Sequence, residues 1–257
     1  MLLVMDIGNT CVTLGVYADD TLALTARLAT DRNRTEDQYA VELHTLLTMR
    51  GLDVNDFDGA IIGSVVPALT GVMEKALQTA VGVRPLVVGK GLKTGLPIHL
   101  EDPAAAGADL ICGAVAAAAL YPLPCIIFDL GTATTSAVVD ATGAFIGGTI
   151  TAGIGISLDA LAGRTSQLPH VSLQDPGKVV GNSTASAMKS GLIYGAASMM
   201  DGMADRIEEE LGSPATVVAT GGRAAQVVPY CRRPIILNDS LLLEGLRILY
   251  QKNRKGN

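Results

Sequence analysis

The sequence has little of what usually announces a chemistry. Its three histidines, His44, His99 and His170, are scattered, so no histidine-rich metal site is visible. Its four cysteines, Cys11, Cys112, Cys125 and Cys231, include no CxxC pair, and most sit in apolar runs. That pattern reads as buried free thiols of a protein kept in a reducing cytoplasm. No GxxxxGK[ST] is present, which excludes a P-loop nucleotide hydrolase. No GxGxxG follows a strand, so the main dinucleotide fingerprint is missing too. No GxSxG or Ser/His/Asp arrangement is suggested. Basic charge is scarce: the net charge is −6 and the pI about 5.0, which argues against a nucleic-acid binder. The terminal KNRKGN is too short to alter this and reads as a solvated tail. Met1–Met5 is apolar, but Asp6 ends the run and no basic segment precedes it, so it does not read as a signal peptide. The stretch 110–128 carries no charge, yet Pro122 and Pro124 interrupt it, and a helix, a turn and a buried strand explain it better than a membrane span.

What the chain does have is apolar substance. Hydrophobic residues make up 49% of it and the mean hydropathy is +0.38, enough for an ample core and suggestive of a buried subunit interface, as in a homodimer. One pattern occurs twice. LLVMDIGNTCVTLGV (Leu2–Val16) runs from a buried-looking strand into Asp6, then Gly8, Asn9 and Thr10, then a second strand. CIIFDLGTATTSAVVD (Cys125–Asp140) repeats this with Asp129, Gly131, Thr132, Thr134 and Thr135. A glycine turn lets backbone N–H groups approach a ligand closely, and N–H and hydroxyl groups there suit phosphate oxygens. The carboxylate suits a phosphate-bound Mg²⁺, which takes only one or two such ligands. A single copy could be a plain hairpin turn; two copies imply related halves facing one nucleotide across a cleft. The expected fold is α/β, with two ribonuclease-H-like domains, 1–117 and 118–257, and an interdomain nucleotide cleft.

The element order supports this expectation. Strands are predicted at Leu2–Asp6, Thr10–Tyr17, Leu22–Leu28, Gly59–Val66 and Pro85–Val88. Helices follow Thr35, which has capping-box spacing to Gln38, and Pro67, suited to a first helical turn. A helix over Pro103–Leu120 joins the halves, with the alanines of 114–119 as a close packing surface. The second half is predicted to hold strands at Cys125–Asp129, Thr134–Val139, Ala144–Ile150, Ala215–Ala219 and Pro234–Leu237. Its helices are predicted near Ile156–Leu161, over Ser183–Leu211 with Glu208, Glu209 and Glu210 as an exposed end, after Gly221-Gly222, and over Leu241–Gln251. Thr165–Val180 is read as irregular. ATGGRA (Ala219–Ala224) is either a strand-to-helix turn or a flat surface for a nucleoside. From the residues alone, Asp109 in Gly107-Ala108-Asp109 is an N-cap or first-turn acid favoured by the helix dipole.

Taken together, DIGNT (Asp6–Thr10), SVVP (Ser64–Pro67), GLKTGL (Gly91–Leu96), GAD (Gly107–Asp109), DLGTATT (Asp129–Thr135), GGTITAGI (Gly147–Ile154), the Thr165–Pro169 segment, the Thr184 to Gly195 stretch, ATGG (Ala219–Gly222) and LEGL (Leu243–Leu246) resemble the type III pantothenate kinases of the acetate-kinase, sugar-kinase, heat-shock-protein-70 and actin superfamily. They cover nearly the whole chain in the family's order. The resemblance implies ATP-dependent phosphorylation of pantothenate, the first step of coenzyme A biosynthesis. It implies an ATP loop of Asp6, Ile7, Gly8, Asn9, Thr10, Cys11, Val12 and Thr13, with Asp6 near Mg²⁺, and a second ATP contact at Thr132. Asp129 would hold a monovalent cation, K⁺ or NH₄⁺. Gly107, Ala108 and Asp109 would meet pantothenate, with Asp109 the proton acceptor, and Thr184 would reach pantothenate across a homodimer interface. Two positions depart from the pattern: Leu110 follows Gly-Ala-Asp where the family usually has arginine, and no aromatic residue stands near His99-Leu100. Two other readings remain open at this point: a catalytically silent nucleotide-binding relative with a regulatory or assembly role, and a kinase for another small hydroxylated substrate.

Overall fold

The computed structural model describes residues 1–254, and its chain is α/β. Five strands form the first sheet: β1 (Leu2–Ile7), β2 (Cys11–Ala18), β3 (Thr21–Ala29), β4 (Gly59–Ser64) and β5 (Leu86–Val87), in the order β3-β2-β1-β4-β5. β1 lies at the centre, antiparallel to β2 and parallel to β4. Its continuous apolar run is what a strand covered on both faces requires, and Leu3, Val4, Met5 and Ile7 are fully buried.

The second sheet holds β6 (Cys125–Leu130), β7 (Ala133–Val139), β8 (Phe145–Ala152), β9 (Thr216–Thr220) and β10 (Ile236–Leu237), in the order β10-β9-β6-β7-β8. Strand for strand this is the first sheet again, with β6 in the place of β1 and the same parallel and antiparallel neighbours. The doubled Asp-Gly pattern therefore corresponds to a doubled topology.

Helices form where caps and apolar spacing coincide. α1 (Glu36–Met49) starts on a complete capping box, Thr35 with Gln38. α2 (Pro67–Val81) has proline in its first turn and ends at Gly82 in the left-handed region. Their buried faces, including Tyr39, Leu43, Leu69 and Met73, pack against Leu3, Met5 and Ile7. α4 (Ile154–Arg164) and α5 (Thr184–Leu211) do the same in the second core, where Leu158, Ile193 and Met200 join Ile126, Phe128 and Leu130. α5 opens on Ser183, whose hydroxyl accepts the Ser186 N–H at 3.2 Å.

Two compact units result. One comprises Met1–Gly95, Glu101–Ala116 and the stretch from Leu242 onward; the other comprises Leu96–Leu100 and Ala117–Leu241. The closing helix α7 (Leu241–Asn253) thus folds back on the N-terminal sheet. Arg247 lies 5.5 Å from the Tyr17 ring and pairs with Glu244 at 3.0 Å and Asp20 at 2.5 Å. Among the described residues no helix is long and apolar enough to cross a membrane.

Several expectations need correction. The helix expected over Pro103–Leu120 is broken. Asp102 accepts the Ala104 N–H at 3.0 Å and supports a single 3-10 turn at Pro103–Ala105, Ala106 is extended, and α3 proper is Ala108–Leu120. Asp109 consequently sits in the first turn. The fourth strand stops at Ser64, two residues early, because Val66 is the N-cap of α2. α4 is longer than expected at both ends. The helix after Gly222 is one turn, Ala224–Val227 (α6), followed by a 3-10 turn. Glu208 is no solvated end: it pairs with Arg233 at 2.7 Å and accepts the Ala215 N–H at 2.8 Å. Cys112 and Cys125 are buried thiols, but Cys11 is exposed and Cys231 half-buried. Of the expected tail, Lys252 and Asn253 belong to α7. The Asn253 amide accepts the Lys93 N–H and donates to the Lys93 carbonyl, at 2.9 and 2.8 Å. Positions 255–257 lie outside the described residues.

The alanine-rich face of α3 does pack closely: Ala114, Ala116 and Ala117 are fully buried, and a Cβ at Gly245 would overlap the Cys112 carbonyl oxygen. Gly71, inside α2, has nothing within 4 Å of that position. The two glycines should therefore respond oppositely. Gly71→Ala gains helix propensity and should stabilise the fold by about 0.5–1 kcal/mol. Gly245→Ala meets rigid backbone and should destabilise it by about 1–3 kcal/mol. Urea midpoints of both variants check this; equal shifts would refute the close contact.

Candidate active site

The first loop follows from the strand that feeds it. β1 is buried up to Ile7, so the chain must turn where polar residues begin, and Gly8 donates its N–H to the Cys11 carbonyl at 3.0 Å to close that turn. Asp6, half-buried, stands at the C-terminal end of β1 between Thr13 on β2 and Gly63 on β4. Asn9, Thr10 and Cys11 are exposed at the tip. Of the eight residues expected at the ATP loop, Ile7 and Val12 are fully buried in the core, so only their backbone could serve a ligand.

Asp109 occupies the first turn of α3, where the helix dipole favours an acid. Its Oδ1 accepts the Leu110 N–H at 2.8 Å. A Cβ on Gly107 would overlap that same oxygen, so the glycine is the space in which the carboxylate sits. Burial pushes the Asp109 carboxyl above the usual carboxylate range, outweighing the backbone hydrogen bonds that act the other way. The donor reaching Asp109 from position 110 is a backbone N–H, so this bond does not depend on the leucine side chain.

One turn on, Cys112 is buried, and its thiol is held well above its ordinary range by burial first and then by the charges of Asp6 and Asp109. The two carboxylates therefore share a neighbourhood, with Cys112 feeling both. The sequence reading placed Cys112 only as a structural thiol. Its position three residues after Asp109, on the same helix face, was the available signal.

In the second unit Asp129, half-buried, stands at the end of β6 opposite Thr135 and Thr220. Gly221 has φ +93°, and a Cβ on it would overlap Asp129 Oδ1 and lie 2.7 Å from the Leu130 nitrogen. Arg223 donates its N–H to the Leu130 carbonyl at 3.1 Å. The structure thus joins the ATGG segment to the Asp-Leu-Gly-Thr loop. Thr132 is exposed at the loop tip. Beneath it, a Cβ on Gly153 would overlap the Thr132 carbonyl oxygen and lie 2.6 Å from that of Gly131. Gly153, the N-cap of α4, was carried in a matching motif without a role; here it admits the loop backbone. Thr184 is exposed in the first turn of α5. It lines an open, mostly apolar groove of about 580 Å³ with Leu161, Leu168, Ala187 and Met188. Asp109 and Asp6 belong to the first unit, and Asp129, Thr132 and Thr184 to the second.

The chain has relatives among known proteins. A family model described as type III pantothenate kinase matches residues 2–206. The chain is 42% identical over 253 residues to the type III pantothenate kinase of Moorella thermoacetica, covering 98% of this chain and 100% of that protein. It is 43% identical over 256 residues to that of Shouchella clausii, covering 99% and 100%. Among solved structures, the activator of the 2-hydroxyisocaproyl-CoA dehydratase from Clostridium difficile, with bound ADPNP, superimposes with a TM-score of 0.58 at 14% identity, covering 100% of this chain and 98% of that one. That likeness shows a shared two-domain α/β fold.

The environment of Asp109 has a consequence for stability. Its folded-state pKa is raised above the unfolded value of about 3.9. Its favourable contribution is therefore complete below the unfolded pKa and lost as pH rises through the folded one. At neutral pH the ionised, half-buried carboxylate destabilises the fold. Asp109→Asn, which keeps an acceptor for the Leu110 N–H, should melt higher than wild type at pH 7, with the gap closing as pH falls toward the carboxylate range. Melting curves across pH check this; a variant that melts lower at pH 7 would contradict it.

Proposed function

The chain belongs to the type III pantothenate kinase family, and from that premise we propose that it transfers the γ-phosphoryl group of ATP to the primary hydroxyl of pantothenate, the entry step of coenzyme A biosynthesis. The observation that carries this reading is Asp109: a half-buried carboxylate in the first turn of α3, its pKa raised by burial, on the helix whose Cys112 thiol feels both its charge and that of Asp6 at the end of β1. A raised carboxylate pKa is what a general base near neutral pH needs.

The roles divide by chemistry. Phosphoryl transfer depends mainly on positioning and charge neutralisation. The loop Asp6–Thr13 and Thr132 serve ATP through backbone N–H groups and hydroxyls. Gly107, Ala108 and Asp109 receive the reacting end of pantothenate, and Asp109 takes the proton from its hydroxyl as the phosphorus–oxygen bond forms. Thr184 is a pantothenate contact supplied within a homodimer. Exposed apolar side chains support that assembly, Ile150 at 74% and Val180 at 83% exposure among them. The compartment is the cytoplasm, in keeping with four free cysteines.

Among the described residues no group of three or more His, Cys, Asp or Glu could hold a metal alone. A single carboxylate, Asp6, instead suits Mg²⁺ that arrives with the nucleotide and takes most of its ligands from phosphates and water. Bound there, it would neutralise charge on the transferring phosphoryl group. Asp129 suits a monovalent cation, K⁺ or NH₄⁺: it is an acid beside a loop that meets a triphosphate, and a cation removes the repulsion.

Two measurements test this reading. ADP release that depends on pantothenate should be seen with wild type, and Asp109→Asn should slow it by roughly 10²- to 10⁴-fold while ATP binding persists. The acid limb of the wild-type kcat/KM profile should lie above the ordinary carboxylate value of about 3.9, since the base must be ionised to act. Unchanged turnover in Asp109→Asn would refute the base assignment. For the cation, activity should require K⁺ or NH₄⁺, and Asp129→Ala should lose that dependence along with most activity; full activity in Na⁺-only buffer would refute it.

A further inference from the structure

The segment following β3 holds three consecutive residues of the first phosphate loop, Gly8, Asn9 and Thr10. The Thr30 hydroxyl donates to the Gly8 carbonyl at 2.7 Å, and its N–H donates to the Thr10 carbonyl at 3.0 Å. Arg32 Nη2 donates to Asn9 Oδ1 at 2.8 Å. We propose that Thr30 is a positioning residue for ATP: its hydroxyl, fixed from the core through Asp31 and Tyr39, sets the peptide planes of the phosphate loop. This rests on the reading that the loop Asp6–Thr13 binds ATP.

The argument is geometric. A trans peptide is planar, with its C=O and N–H on opposite sides. Binding the Gly8 carbonyl to Thr30 turns the Asn9 N–H, in the same peptide, to the side away from Thr30. A carbonyl oxygen free to swing toward a triphosphate would repel it; one engaged by a hydroxyl cannot. The backbone bonds given for the loop do not secure this: Thr30 N–H binds the Thr10 carbonyl and Gly8 N–H the Cys11 carbonyl, and neither bond engages the Gly8–Asn9 peptide.

The anchor itself is rigid. Tyr39 is fully buried on α1, and its hydroxyl donates to the Asp31 carbonyl and accepts the Asp31 N–H, both at 2.9 Å. One core side chain thus satisfies both backbone groups of the residue next to Thr30. The path runs from the first core to Asp31, to Thr30, to the Gly8 peptide. Loops positioned from packed elements in this way give the fixed geometry that phosphoryl transfer needs.

Thr30→Val removes the hydroxyl at nearly constant shape, and Thr30→Ser keeps it. Calorimetric titration with Mg·ATP, steady-state KM for each substrate and melting temperature are measured for both. The expected result is a loss of about tenfold in Mg·ATP affinity for Thr30→Val, the effect of one lost hydrogen bond. The pantothenate KM should be unchanged, and Thr30→Ser should remain within about twofold of wild type. Wild-type ATP affinity in Thr30→Val would overturn the proposal. So would equal losses in both variants that track lowered melting temperatures, since the hydroxyl would then serve stability alone. If wild type binds Mg·ATP but phosphorylates no pantothenate, the kinase reading fails while the calorimetric comparison still decides this proposal. If wild type binds no Mg·ATP, both fail.

Discussion

The candidate site depends on backbone and carboxylate oxygens sitting where a side chain would otherwise be. Gly107 leaves room for the Asp109 carboxylate, Gly221 for that of Asp129, and Gly153 for the peptides of Gly131 and Thr132. The same device recurs where Gly245 lets α7 rest on the Cys112 carbonyl of α3. Close approach fixes geometry because hard-core repulsion rises steeply. Only glycine permits it, and at Gly221 the positive φ adds a second reason.

That tight geometry puts charge where water is scarce. Asp109 lies one helical turn before the buried Cys112 thiol, which feels the charges of both Asp109 and Asp6, and burial is the dominant influence on the carboxyl and the thiol alike. A protein selected for stability alone would not leave an ionisable group there. The first-turn placement in α3 and the Leu110 N–H offset part of the penalty without abolishing it. Sites that must exchange a proton are commonly built at some expense to the fold.

The two halves solve one problem by different means. Both bring a central strand to an acid and then turn through glycine. In the first, the loop is held by side chains from the segment after β3, Thr30 and Arg32. In the second, it is held by the direct approach of the α4 N-cap at Gly153. The sheets have kept the same strand order while the loop supports have diverged, as expected when backbone topology is constrained by packing and loop contacts by local chemistry.

The doubled strand-Asp-Gly pattern, the capping box at Thr35, Pro67 at a helix start and the continuous apolar runs of β1 and β6 were all legible in the sequence, because each is a local signal with a fixed period or offset. They determined the α/β class and the two related halves; the family came from the resemblance. The resemblance, read on motifs, also named Asp6, Asp109 and Asp129. What no local signal carried was which distant segments meet. The break between Pro103–Ala105 and α3 was missed because alanines favour helix on either side of it, and an Asp102 cap decided otherwise. The return of α7 to the N-terminal sheet, the joining of Gly221 to Asp129, the nearness of Asp6 to Asp109 through Cys112 and the hold of Tyr39 and Thr30 on the first loop are contacts between residues far apart in the chain. They arise from packing, whose energy depends on shape complementarity in three dimensions and leaves no period in the sequence.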